Sequence, residues 1–237
     1  EKVNSFLKVL RTKKNEEYIF SFDISDKQKC FVIKVKNKFE SYWPQESGGS
    51  FFSHIKKNKD INKINIYVDS LDFETDKLVD FFSQFLFGFN LKSYTFNKYK
   101  TSKKESIIQK IDYKIITLKK EKIERNFKYY NAIKEGVFLT RDLVSEPPNV
   151  LNPKAYVDEI KKLSKLGLKI KSYNEKDLKK LGMNALLGVG QGSVNESYLV
   201  TMEWNGKNNS SNKPIAFVGK GVCFDTGGIS LKPARFM

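Results

Sequence analysis

Histidine is almost missing from this sequence: His54 is the only one in 237 residues. A zinc site built on imidazoles is therefore excluded within the chain, as is any Ser-His-Asp triad that does not use His54. Cysteine is nearly as scarce. Cys30 and Cys223 lie far apart, form no CxxC pair and read as two free thiols of a reducing compartment. Metal chemistry in such a chain must rest on carboxylates, lysine or backbone oxygens.

Arginine is the third scarcity. Only Arg11, Arg125, Arg141 and Arg235 stand among 43 basic residues, although the net charge is +16. Base-edge and bidentate phosphate recognition favours arginine's planar fork, so an excess carried by scattered lysines is a weak basis for a nucleic-acid groove. The lysines come with many Asn, Ile, Phe and Tyr, the mixture that an A/T-rich genome encodes. Long apolar runs are also absent. Nothing approaches the roughly 18 residues of a membrane span, and the richest stretch, residues 78–89, is interrupted by Asp80, Ser83, Gln84 and Gly88. That stretch reads as a buried helix. Nothing at the start resembles a signal peptide, which points to a cytoplasmic protein with no membrane partner. The chain begins at Glu1 and ends at Met237 just past a Gly-rich loop, and both ends read as fragment boundaries.

What is present is a soluble globular pattern, 40% hydrophobic and 30% charged, long enough for one large domain or two ordinary ones. Residues 18–22, 31–35 and 64–68 are candidate strands, the last alternating at period two. Leu78, Phe81, Phe82, Phe85 and Phe89 then fall on one helical face within residues 72–89. Residues 111–116 are another strand candidate. Ile123, Phe127, Tyr130, Ile133 and Val137 mark a long amphipathic helix ending near Thr140, suited to connecting two domains and almost as well to packing inside one. Strand and helix in alternation imply an α/β layer domain over residues 1–120, a linker helix over 121–140, and a second α/β domain from 141 to 237.

Pro147 and Pro148 punctuate the start of that second region, and Asn152-Pro153 is an N-cap with proline at N1. Tyr156, Val157, Ile160 and Leu163 mark the buried face of the helix that follows, and Gly167 is a natural stop. A strand over 168–173, a short helix over 175–181 and a strand over 198–204 come next. The wholly apolar run 214–218 suits a central strand covered on both faces.

That run leads into the loop holding Lys220, Asp225 and Lys232, with glycines at 219, 221, 227 and 228. In open α/β sheets ligands bind just beyond the carboxyl ends of strands. A Walker A loop is excluded: Gly219-Lys220 is followed by Gly221, and the place of the first glycine is held by Pro214. Gly188, Gly190 and Gly192 lack a convincing following helix, which weakens a dinucleotide fingerprint. Asp225 is a hard oxygen ligand for a divalent cation. A lysine can ligate a metal only when neutral, a state that burial and the cation's own charge promote. A second, protonated lysine could polarise a carbonyl and stabilise an oxyanion. On spacing alone, a solvated basic loop accounts for the same residues.

Residues 219–232 closely resemble the metal-binding signature of the leucyl (cytosol) aminopeptidase family, GKG-x-x-FD-[ST]-GG-[IY]-x-LK. Thr140-Arg-Asp-Leu-Val with Pro147 and Asn149, and Leu181-Gly-Met-x-Ala-Leu-Leu-Gly-Val-Gly-Gln-Gly-Ser193, are similar to upstream hallmarks of the same family. The resemblance covers residues 140–237, is looser before 140, and has a bacterial flavour. It implies a macro-like α/β N-terminal domain, the start of a mixed-sheet α/β/α catalytic domain, a homohexamer, and two divalent cations, Mn or Zn with Mg or Co as alternatives. Lys220 would be a neutral-amine ligand to the more tightly held metal, Asp225 would ligate both metals, and Lys232 would assist the substrate carbonyl. The implied reaction is attack of a metal-bridged hydroxide on the first bond of a peptide substrate, with leucine-type preference. Cys223 replaces the usual Thr and Asn184 stands where glycine is common; neither is a proposed ligand. The family's remaining acidic ligands come from a further Asp and an Asn-Thr-Asp-Ala-Glu-Gly-Arg segment that this sequence does not contain. The 237 residues alone are therefore expected to bind metal poorly and to leave peptides intact. The alternative is a non-catalytic or DNA-binding protein on the same scaffold.

Overall fold

The computed structural model describes residues 2–12, 18–35, 38–58, 60–101, 111–206, 213–225 and 230–236. The chain separates into two compact units, Glu1–Arg141 and Asp142–Met237.

In the first unit, helix α1 (Lys2–Thr12) precedes an antiparallel hairpin of β1 (Ile19–Ser25) and β2 (Gln28–Ile33). Helix α2 (Trp43–Lys56), strand β3 (Lys63–Tyr67), helix α3 (Thr75–Lys92), strand β4 (Asp112–Ile116) and helix α4 (Lys120–Ser145) follow, with α4 continuing past the unit's boundary at Arg141. Strands β3 and β4 run parallel, with Lys63 opposite Asp112 and Tyr67 opposite Ile116. Parallel neighbours need a crossover between them, and α3 lies within this one. Asp69, just past β3, ties the ends of the two strands together: it accepts hydrogen bonds from the Thr117 hydroxyl at 2.6 Å and the Leu118 amide at 2.8 Å. Those bonds, the Thr117 hydroxyl foremost, hold its carboxyl below the ordinary aspartate range.

Aromatic packing supplies the core of this unit. Phe51, Phe52 and Ile55 of α2 meet Phe81, Phe82, Phe85, Leu86 and Phe89 of α3, all of them buried. Ring centroids of Phe52 and Phe89 lie 5.1 Å apart at right angles, and Phe89 meets Tyr113 of β4 edge-on at 5.6 Å. Helix α3 is buried around most of its girth, so its polar Ser83 returns its hydroxyl to the Val79 carbonyl at 2.7 Å. The two helices cross in backbone contact. A Cβ at Gly48 would overlap the Phe85 carbonyl oxygen, and one at Gly88 would overlap that of Gln45.

Helix α4 runs further than the sequence pattern predicts, to Ser145 rather than near Thr140. Residues 141–145 carry no helix breaker, and the stop comes from Pro147 and Pro148. Only Ile123 of this helix is buried.

The second unit is built from helix α5 (Pro153–Lys162), a 3-10 turn (Leu163–Leu166), strand β5 (Lys169–Tyr173), helices α6 (Glu175–Lys180) and α7 (Asn184–Gly190), and strand β6 (Leu199–Glu203). Strands β5 and β6 pair antiparallel, Lys169 opposite Glu203. Asn152 caps α5 as its sequence indicates, its side-chain oxygen accepting from the Ala155 amide at 3.0 Å. Gly167 closes the following turn with φ of 93°, a backbone conformation that favours glycine. Asn174 and Asp177 form a reciprocal capping box on α6.

The apolar run 214–218 does not form the central strand expected of it. Among the described residues it pairs with neither β5 nor β6, and Ile215, Phe217 and Val218 are 83%, 92% and 99% exposed. The physical reason is that an apolar run states a demand for cover without specifying a neighbour. Strand pairing is non-local, and nothing within the run fixes its partner.

Candidate metal centre

The segment 213–225 forms no regular helix or strand and is exposed along most of its length. Lys220 lies near its middle, flanked by Gly219 and Gly221, and its side chain is open to solvent. Asp225 stands five residues on. Thr226, Gly227, Gly228 and Ile229 of the Gly-rich stretch lie outside the described residues. The chain is described again from Ser230, and Lys232 returns its amine to Asp225, Nζ to Oδ2 at 3.2 Å. Asp225 and Lys232 are therefore brought together. Lys220 forms no hydrogen bond or ion pair with either of them among the described residues.

The Asp225–Lys232 pair bears on whether this loop suits a divalent cation. Its carboxylate faces outward with its side chain 57% exposed and already has a positive charge against one oxygen. The ammonium stands in for a cation there. An exposed pair of this kind is worth about 0–1 kcal/mol, so the hold of Lys232 on this oxygen is weak. Carboxylate and amine donors thus fit part of a metal site. They do not complete one: no group of three or more His, Cys, Asp and Glu residues able to hold a metal occurs among the described residues.

Two neighbours shape the loop. Cys223 is half-buried, and burial pushes its thiol above the ordinary cysteine range. Gly221 faces the ring of Tyr156 on α5: a Cβ at that glycine would lie 3.0 Å from Cε1 and 3.7 Å from Cδ1. Sequence reasoning placed Tyr156 on a buried helix face and did not connect it to the loop. The only signal available was that Gly221 is glycine, which does not say what approaches it.

Residues 138–237 match the model of the cytosol aminopeptidase family, catalytic domain. A "Probable cytosol aminopeptidase" of Agrobacterium fabrum (strain C58) is 45% identical over 194 residues, covering 81% of this chain and 38% of the relative. One of the same description from Wolbachia pipientis wMel is 47% identical over 226 residues, covering 92% and 42%. The chain thus spans well under half the length of the curated relatives it matches. Among solved structures, a bottromycin maturation enzyme, BotP, in complex with Mn superposes with a TM-score of 0.73 at 21% identity, over 97% of this chain and 48% of that one. A tomato leucine aminopeptidase variant does so with a TM-score of 0.70 at 19% identity, over 85% and 42%. At these identities the two structures speak for the mixed α/β fold, and the sequence matches speak for kinship. On those matches, and most directly through residues 138–237, the chain belongs to the cytosol aminopeptidase family.

Proposed function

We propose that this chain is the N-terminal and partial catalytic region of a metal-dependent aminopeptidase that releases N-terminal residues, leucine-type by preference, from peptides. The observation that carries the reading is the loop 219–232, which presents an amine, a carboxylate and a second amine within the region matching the family model. Lys220 and Asp225 would hold divalent cations, Mn or Zn, as two of the ligands of a two-metal site. Bound there, the cations would supply Lewis-acid activation of water and of the scissile carbonyl.

The chain's own residues have separable tasks. Asp225 supplies negative charge and hard oxygen donors. Lys232 would direct the positive charge of its Nζ toward the substrate carbonyl oxygen. A fixed positive donor is most effective where charge develops on that oxygen and water is excluded. The glycines at 219 and 221 let the backbone beside Lys220 approach its surroundings closely. The division into a domain over 1–120, a linker helix over 121–140 and a catalytic region from 141, a homohexameric assembly and a cytoplasmic setting belong to the same reading. So does the expectation that the 237 residues alone bind metal poorly and do not turn over peptides.

The test is hydrolysis of a leucyl amide by the complete protein and by its Asp225→Ala variant. Loss of an outer partner of a metal ligand costs about 10–100-fold, and removal of a ligand is expected to exceed that. Near-wild-type hydrolysis by Asp225→Ala would refute the assignment.

A further inference from the structure

The contact between Tyr156 and Gly221 is used neither by the core of the second unit nor by the ligand assignments. Tyr156 stands in the first turn of α5, a helix end held firmly in place. Its amide donates to the Asn152 carbonyl at 2.9 Å, the Asn152 side chain caps the Ala155 amide, and Val157 beside it is 3% exposed. From this base the half-buried Tyr156 ring reaches the residue directly after Lys220. The approach is made by ring carbons, Cε1 and Cδ1, and it is close enough that a Cβ at Gly221 would sit 3.0 Å from the ring. Among the described residues, segment 213–225 belongs to no strand and most of its side chains are exposed, so within this chain the Tyr156 ring is a contact on the backbone beside Lys220 that sheet pairing does not supply.

We infer that Tyr156 is a positioning residue, whose ring forms the surface on which the backbone at Gly221 rests and thereby sets the place from which Lys220 presents its amine. The inference rests on the proposed function for its consequence, metal affinity, but the packing claim stands apart from it. A ligand lysine carried on an unpaired loop loses affinity through loop disorder, because the order must be restored each time the metal binds. A rigid aromatic face at the adjacent glycine reduces that cost. Since ring carbons make the contact, the hydroxyl is dispensable. Tyr156→Phe keeps the support and Tyr156→Ala removes it.

Cys223, two residues beyond Gly221 and half-buried, reports on the loop, and Cys30 in the other unit serves as an internal control. The experiment follows iodoacetamide labelling of each thiol by peptide mass spectrometry in the complete protein, alongside Mn²⁺ affinity by titration. Tyr156→Ala is expected to speed Cys223 labelling by about three- to tenfold through local opening, to leave Cys30 unchanged, and to weaken Mn²⁺ binding by about 10–100-fold. Tyr156→Phe is expected to match wild type in both readouts. Wild-type Cys223 labelling in Tyr156→Ala overturns the inference. So does equal acceleration of both thiols, which would make Tyr156 a general stability residue, or a Tyr156→Phe variant as impaired as Tyr156→Ala. A faster Cys223 with unaltered Mn²⁺ binding overturns the link to Lys220 while leaving the packing intact. Absence of Mn²⁺ binding by the wild type would instead count against the aminopeptidase reading itself.

Discussion

Phenylalanine is treated in opposite ways by the two units. Phe89 of α3 is 2% exposed and touches three other rings, whereas Phe217, in the run leading to the Lys220 loop, is 92% exposed. The contrast extends to each unit as a whole. The first buries a continuous cluster from α2, α3 and α4 together with Val68 and Ile111, while in the second only Val157 and Leu178 are buried hydrophobics among the described residues. The proposed site residues Lys220, Asp225 and Lys232 all belong to the less consolidated unit. The first unit derives its order from its own side chains. In the second, local devices such as caps, turns and the Tyr156 ring carry a larger share.

The sharpest way to break this comparison is to make the same substitution on both sides. In the 237-residue chain, Phe89→Ala should cost about 3–5 kcal/mol in denaturant unfolding, the usual penalty for emptying a buried aromatic site. Phe217→Ala should change stability by less than about 0.5 kcal/mol. Similar costs at the two positions would erase the distinction. Next in size is the helix crossing. Gly88→Ala forces a methyl against the Gln45 carbonyl and should destabilise the first unit by about 1–3 kcal/mol. A variant as stable as wild type would show that α2 and α3 can separate without loss.

Smaller still is the cap of α5. Asn152→Ala removes the side-chain acceptor of the Ala155 amide and should cost about 1 kcal/mol of helix stability. The effect should appear as faster amide exchange across residues 153–162 with none across α3. The subtlest test uses pH. Burial, with Asp80 beside it, pushes the Tyr130 phenol up to about 12 from its ordinary value near 10. A phenol with a raised pKa favours folding in its neutral form. Its contribution is therefore complete below pH 10 and is lost as pH climbs through about 12. An ultraviolet phenolate titration should show a late-titrating group that Tyr130→Phe removes. An unaltered titration in that variant would assign the late group elsewhere.

Much of the fold is legible in local sequence, and the reasons are particular. Leu78, Phe81, Phe82, Phe85 and Phe89 recur at helical spacing because α3 buries that face. Asn152, Pro153 and Gly167 announce the ends of their elements because each satisfies a backbone requirement within a few residues. The amphipathic pattern of α4 stops near Thr140 while the helix runs to Ser145, because periodicity fades before the helix does and Pro147 is the boundary. The strand expected over 214–218 failed for a different cause, since hydrophobicity is a local property and a pairing partner is not. The candidate site divides along the same line. Lys220, Asp225 and Lys232 are recognisable through the family signature they resemble, whereas their spacing alone fits a solvated basic loop as well. The 3.2 Å approach of Lys232 to Asp225 and the seat of Gly221 on Tyr156 depend on how the chain returns in space. No pattern in the sequence records that.

The loop around Lys220 and Asp225 is proposed to hold metal, and a metal count tests this most directly. The complete protein, loaded with Mn²⁺ or Zn²⁺ and desalted, is predicted to retain two ions per chain, and Asp225→Ala to retain fewer while remaining folded. Equal metal content in the two proteins would contradict the account.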